Sequence, residues 1–104
     1  MIRITNTFRR PTTDIPFHSV NMTTELFEYI KTTYKDTGKL VHIQVVNSDD
    51  LLTMVATWVW NTQEDYMAYQ EDPVIKQWFT TITSHNESNG ITHVSKLKEN
   101  VDTI

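Results

Sequence analysis

No cysteine occurs in the sequence, which excludes disulfides, thiolate nucleophiles, zinc–thiolate sites and iron–sulfur clusters. Glycine is nearly as scarce. Two residues, Gly38 and Gly90, leave no room for a glycine-rich phosphate loop or a nucleophile elbow. No apolar run approaches the roughly 20 residues needed to cross a bilayer, and the N-terminal MIRITNTFRRP lacks the apolar core of a signal peptide. The expectation is a cytoplasmic protein with no membrane partner, and on that footing the Asn-X-Ser/Thr patterns at Asn21 and Asn86 are chance matches. Nine basic residues against 13 acidic ones give a net charge of -4, so there is no basic face for nucleic acid. The four histidines, His18, His42, His85 and His93, show no close metal-ligand spacing, although His42 or His93 could meet across strands. No metal is expected. No carboxylates pair as acid and base, because Glu64, Asp65, Glu71 and Asp72 suit helix N-termini.

What is present suits a folded protein. Hydrophobic residues make up 38% of the chain and charged ones 21%. The 104 residues are read as one domain spanning 1–104, small enough for self-association to add useful burial.

Ile2, Ile4 and Phe8 alternate with Arg3, Thr5, Thr7 and Arg9, the period of a half-buried strand. Residues 10–21 carry Pro11 and Pro16 without a helical stripe and read as a loop. Leu26, Phe27, Ile30 and Tyr34 recur at helical spacing, with Asn21 or Thr23 as cap and Gly38 as stop. Residues 40–47 and 51–60 read as two antiparallel strands joined by a turn at Ser48, Asp49 and Asp50. Thr62 caps the next helix, Asp72-Pro73 interrupts it and Asp72 recaps a second segment. Ile75, Trp78, Phe79 and Ile82 form the apolar stripe of that segment, Asn89-Gly90 ends it, and residues 91–99 are the last strand.

The order β-α-β-β-α-β predicts an α+β, ferredoxin-like fold: one four-stranded antiparallel sheet with both helices on one face. The other face would lie open. Leu52, Met54, Ala56, Trp58 and Trp60 fall on one side of the third strand, and Thr53, Val55, Thr57 and Val59 on the other. The second strand puts Val41, Ile43 and Val45 on one face and His42, Gln44 and Val46 on the other. Neither side of the third strand is charged, so a second copy covering the open face, a homodimer, is the expected partner.

Alternation turns Asn6 towards the helices, where an amide needs a partner. Trp58 and Trp60 face the same way, and Tyr66 and Tyr69 follow on the next helix. These five residues, Asn6, Trp58, Trp60, Tyr66 and Tyr69, are the candidate ligand-binding set. Residues 10–19, with Phe17 and His18 directly after Pro16, form either a lid over the cleft or a passive surface loop.

The stretch TWVWNTQEDYMAYQEDPVIKQW resembles the strand-to-helix junction of the antibiotic biosynthesis monooxygenase superfamily. Trp60, Tyr66, Tyr69, Asp72-Pro73 and Trp78-Phe79 occupy its characteristic places, and the element order fits over the whole chain. The resemblance implies a dimeric α/β barrel and, if the protein is an enzyme, cofactor-free oxygenation or isomerisation of a small apolar or aromatic molecule. Asn6, Trp60 and Tyr66 match the side chains such enzymes use, whereas Lys76 is the only basic residue on the second helix and no arginine stands there. Haem degraders of the superfamily place a ligating histidine where this chain has Phe79, which cannot coordinate iron. No cofactor is expected. No catalytic residue is assigned. The alternative is a non-catalytic dimerisation or accessory module whose cleft is filled by Trp58, Trp78 and Phe79. A cavity of roughly 300 Å3 or more lined by Asn6 and Trp60 would favour ligand binding. On that reading, Asn6→Ala and Trp60→Phe abolish binding and leave the melting temperature nearly unchanged.

Overall fold

The computed structural model describes residues 1–103. Its elements are β1 (Ile2–Arg9), α1 (Thr24–Ile30), β2 (Leu40–Asn47), β3 (Thr53–Trp60), α2 (Gln63–Glu71), α3 (Pro73–Asn89) and β4 (Thr92–Asn100). The strands form one antiparallel sheet in the order β2-β3-β1-β4. This is the ferredoxin-like arrangement that the element order predicts. Among the described residues no helix is long and apolar enough to cross a membrane.

Local chemistry explains most boundaries. The Leu26 amide donates to Thr23 Oγ1 at 3.1 Å, so Thr23 rather than Asn21 caps α1. The Asp65 amide donates to Thr62 Oγ1 at 3.1 Å, and the Val74 amide to Asp72 Oδ1 at 2.9 Å. Asp72 is extended (ψ 122°) and Pro73 opens α3, so the expected second helix is two helices broken at that step. Gly90 closes α3 in the left-handed region at φ 67°, which a residue with a Cβ reaches only with strain.

α1 does not stop at Ile30. It runs on into a single π-helical turn over Lys31–Lys35, closed by the Asp36 amide donating to the Lys31 carbonyl at 2.8 Å. Tyr34 in that turn is buried, and its hydroxyl donates to Asp72 Oδ2 at 2.5 Å. The Tyr29 hydroxyl donates to the same oxygen at 2.6 Å. One carboxylate thus caps α3 and joins the first helical segment to it.

Two register shifts alter which side chains face the helices. In the β2–β3 pair Leu40 lies opposite Trp60 and Ile43 opposite Trp58, so the shift leaves Val41 outside the simple alternation and puts Leu40 on the helix side. In the β1–β4 pair Asn6 lies opposite Lys96 but Phe8 opposite His93, with the shift between Thr7 and Phe8. Strict alternation would set His93 and Lys96 on opposite faces. The bulge puts both on the helix side.

The main core packs Ile2 and Ile4 of β1 and Trp60 of β3 against Tyr34, Tyr66, Tyr69, Ile75 and Trp78. A smaller cluster joins Phe8, Phe17, Met54 and Ile91 at the other end of the sheet. The face away from the helices carries Val55, Thr57 and Val59 of β3, but β1 and β4 add the Arg3–Glu99 ion pair at 3.0 Å. It is therefore mixed in character rather than uniformly apolar. Val46 and Leu97 on it are about half exposed.

Candidate functional site

Between the helix-facing side of the sheet and α2 and α3 lies a cavity of about 580 Å3. Asn6, Trp58, Trp60, Tyr66 and Tyr69, the five residues singled out from the sequence, all line it. Strand alternation brings Asn6, Trp58 and Trp60 there, since Ile4 pairs with Trp58 and Asn6 with Ala56 on one side of the pleat. Tyr66 and Tyr69, three apart on α2, present one helix face to them. The volume falls within the range of small-molecule pockets.

The apolar part of the wall is a continuous aromatic assembly. Trp58 stacks on Trp60 with centroids 6.2 Å apart, Tyr69 lies 4.6 Å from Trp60, and Trp78 lies 6.3 Å from Trp58. Trp58, Trp78 and Phe79 line the cavity without filling it. Trp60 is 1% exposed and contacts Tyr34, Tyr66 and Tyr69 as well as Trp58. Trp60 is therefore a core anchor as well as a cavity wall, which argues that Trp60→Phe costs some stability. Burial first, then the nearby Tyr34, Tyr66 and Asp72, pushes the Tyr69 hydroxyl well above the usual range, so it stays protonated.

Polar groups gather along one side. His93 Nε2–H donates to the Asn6 carboxamide oxygen at 2.9 Å, so part of the Asn6 demand is met within the protein. Gln70 Nε2–H donates to the Tyr66 hydroxyl oxygen at 2.6 Å, leaving the Tyr66 proton free to be given to another acceptor. Lys96 and Lys98 reach over the Tyr66 ring, with ammonium groups 5.8 and 5.4 Å from its centroid.

The segment 10–19 is tied to the rest of the fold at several points. Arg10 Nη1–H donates to the Ile15 carbonyl and Nε–H to the Leu51 carbonyl, both at 2.9 Å, while its guanidinium lies 4.6 Å over the Phe17 ring. His85 Nε2–H of α3 donates to the Pro16 carbonyl at 2.8 Å. The segment ends in a short 3-10 turn, His18–Asn21, that places His18 in the cavity wall. His18 packs edge-on against Phe8 at 4.6 Å, and Phe8 stacks on His93 at 4.6 Å. Burial first, then the neighbouring His85 and, less strongly, His93, lowers His18 from its usual 6.5 to about 4, against an opposing hydrogen bond with the Asn86 side chain.

No family model matches the chain, and no curated protein matches it. Solved structures do. SnoaB, a cofactor-independent oxygenase from Streptomyces nogalater, is similar with a TM-score of 0.66 and 12% identity, over 99% of this chain and 94% of that one. A candidate antibiotic biosynthesis monooxygenase from Deinococcus radiodurans gives 0.61 and 10%, over 100% and 95%. One from Nitrosomonas europaea gives 0.57 and 13%, over 97% and 99%. The fold is that of the antibiotic biosynthesis monooxygenase structures. At these identities the likeness concerns the path of the chain and not its chemistry.

Within this monooxygenase-like fold, reading the sequence missed Asn86, His93 and Lys96 as cavity residues and placed His18 only in a segment that could lie over the cleft. Asn86 is 8% exposed, which removes its Asn-X-Ser pattern from consideration as a surface acceptor. The suggested meeting of His42 and His93 does not occur, because β2 and β4 are the two edges of the sheet and the two side chains face opposite sides. His85 is committed to the Pro16 carbonyl. Phe79 lines the cavity where the superfamily resemblance placed a haem ligand.

Proposed function

We propose that the chain is one antibiotic biosynthesis monooxygenase-like domain that binds a small apolar or aromatic molecule in the cavity between sheet and helices. A second copy covers the open sheet face. The observation that carries the reading is the cavity itself: about 580 Å3, lined by Asn6 and Trp60 and left open by Trp58, Trp78 and Phe79. That Trp58, Trp78 and Phe79 leave this space open favours ligand binding over a side-chain-filled cleft.

As an enzyme the protein would carry out cofactor-independent oxygenation or isomerisation. Trp58 packs on the flat face of the substrate with Trp60 backing it, Asn6 orients it by its carboxamide and Tyr66 donates its free proton to a substrate oxygen. The printed function of SnoaB, a cofactor-independent oxygenase, supports this direction. Exposed Val46 and Leu97, on the face that also carries the Arg3–Glu99 pair, support the dimer.

Native mass spectrometry of the purified protein tests both parts. The expected result is a mass of two chains with a retained small molecule, and an Asn6→Ala protein that has lost the molecule but kept the dimer. A single-chain mass at micromolar concentration removes the dimer. An empty protein that also takes up no added aromatic probe removes the ligand.

A further inference from the structure

Trp58, half-buried in the cavity wall, begins a continuous line of oxidisable rings that ends at the protein surface. Its ring centroid lies 6.2 Å from that of Trp60, Trp60 lies 5.7 Å from Tyr34, and Tyr34 lies 6.4 Å from Tyr29. All three steps are within the range of ring-to-ring contact, so each ring can pass an electron to the next. Trp60 and Tyr34 are shut off from solvent, whereas Tyr29 is only half-buried.

Losing an electron makes a phenol strongly acidic, so a tyrosine gives one up readily only where a base takes its proton. Asp72 is such a base. Its Oδ2 accepts the Tyr34 hydroxyl at 2.5 Å and the Tyr29 hydroxyl at 2.6 Å, and it is a carboxylate near neutral pH. Burial first, then the hydrogen bond to Asp72, raises the Tyr34 phenol above its usual range, so its proton stays in place at rest. Tyr69 lies nearer to Trp60, at 4.6 Å. Among the described residues, however, neither its hydroxyl nor that of Tyr66 donates to a carboxylate. The line through Tyr34 is the one with a proton acceptor built in.

We propose that Trp58, Trp60, Tyr34 and Tyr29, with Asp72, form a radical relay that carries an oxidising equivalent from the cavity to the surface. The oxidant is a peroxyl radical reaching the cavity, which becomes a hydroperoxide by taking one electron from Trp58 and a proton from water. Trp58 is refilled from Trp60, and Trp60 from Tyr34, whose proton passes to Asp72 as its electron leaves. Tyr29 then gives an electron to the Tyr34 phenoxyl radical. Asp72 returns a proton to Tyr34 and takes the one that Tyr29 loses. The radical now sits on Tyr29, where a one-electron reductant in solution, such as ascorbate, restores the phenol with the proton held by Asp72. The relay goes beyond ligand binding: it spares the cavity wall from oxidation and operates with the cavity empty or full.

Azide radical, generated by pulse radiolysis, oxidises indoles selectively and is the probe. In the wild type the indolyl absorption should give way to the tyrosyl absorption at a rate independent of protein concentration. Tyr34→Phe should lose this conversion, and Asp72→Asn should lose it with Tyr34 still in place. Tyr29→Phe, the substitution least able to disturb the fold, should keep the conversion and lose the rapid quenching of the tyrosyl signal by ascorbate. The wild type alone supplies a second measurement. After exposure to peroxyl radicals from a thermally decomposing azo initiator, mass spectrometry should find more oxidised Tyr29 than oxidised Trp58. An indolyl signal that decays with no tyrosyl signal, a tyrosyl signal that survives Tyr34→Phe, or damage confined to Trp58 overturns the relay. A protein that retains and takes up no small molecule removes the ligand reading and leaves these readouts unchanged.

Discussion

Asn6 and His93 are joined across the β1–β4 pair by a 2.9 Å hydrogen bond in which His93 Nε2–H donates to the Asn6 carboxamide oxygen. The bond exists because the bulge at Thr7/Phe8 rotates His93 onto the helix side. A carboxamide oxygen cannot donate, so the contact also fixes the His93 proton on Nε2.

Asn6→Ala removes this bond but leaves His93 at an exposed position, where water can accept its hydrogen bond. The expected cost is under about 1 kcal/mol of stability, with loss of ligand retention. Thermal denaturation alongside native mass spectrometry checks it. A fall of more than several degrees would make Asn6 a core residue.

Trp60→Ala should be far more costly than Asn6→Ala. Trp60 is 1% exposed and central to the aromatic cluster, so truncation should cost about 3–5 kcal/mol. Trp60→Phe retains part of the packing and should fall between. Urea unfolding of the three variants ranks them, and an Asn6→Ala protein less stable than Trp60→Ala contradicts the assignment.

Asp72→Ala removes the partner of two tyrosine hydroxyls and the cap of α3 at once. The buried Tyr34 hydroxyl and the lost cap together suggest a loss of about 2–4 kcal/mol. Partial burial raises the Asp72 carboxyl, but hydrogen bonds from Tyr29, Tyr34 and the Val74 and Ile75 amides outweigh it and hold it below its usual 3.8. A carboxylate lowered on folding stabilises above its unfolded value and loses that contribution as pH falls through the folded one. Asp72→Asn should therefore flatten the acid limb of the stability curve below about pH 4, where the wild type declines.

His18 acts at higher pH. Its folded value is about 4 against 6.5 when exposed, so the unfolded chain binds the proton first. Stability should be insensitive to this group above pH 6.5 and fall steadily between 6.5 and 4. The facing basic groups are His85 and His93, and Glu87 lines the same cavity. His18→Gln should lessen the slope in that window, and an unchanged slope would locate the acid sensitivity elsewhere.

The fold was legible because its signals are local. Alternation in β1, the Thr62 and Asp72 caps and the Pro73 break each depend on a few neighbouring residues. The five cavity candidates were legible for the same reason, since pleat and helix periods alone turn Asn6, Trp60 and Tyr69 inward. His93 was not, because one bulge reverses its face and no local residue type announces the bulge. His18 and Asn86 were not either, since their meeting requires the 10–19 segment to be held on α3 by His85, a contact spanning 69 positions. The open face was half legible: β3 is uncharged as expected, but the Arg3–Glu99 pair comes from strands far apart in the chain.

The π turn at Lys31–Lys35 has an implication for the length of the chain. On a regular α-helix, Tyr29 and Tyr34, five positions apart, would point about 140° from one another and could not share Asp72. The wider turn absorbs one residue and restores a common direction. That residue is surplus to the geometry. Deleting Thr32, whose side chain is exposed and bonds only to its own helix, should collapse the turn to α-helix, bring the tyrosines to a spacing of four and leave both on Asp72. The shortened chain should melt close to the parent, whereas the same deletion inside α3 would turn the face that carries Trp78 and Asn86 away from the cavity.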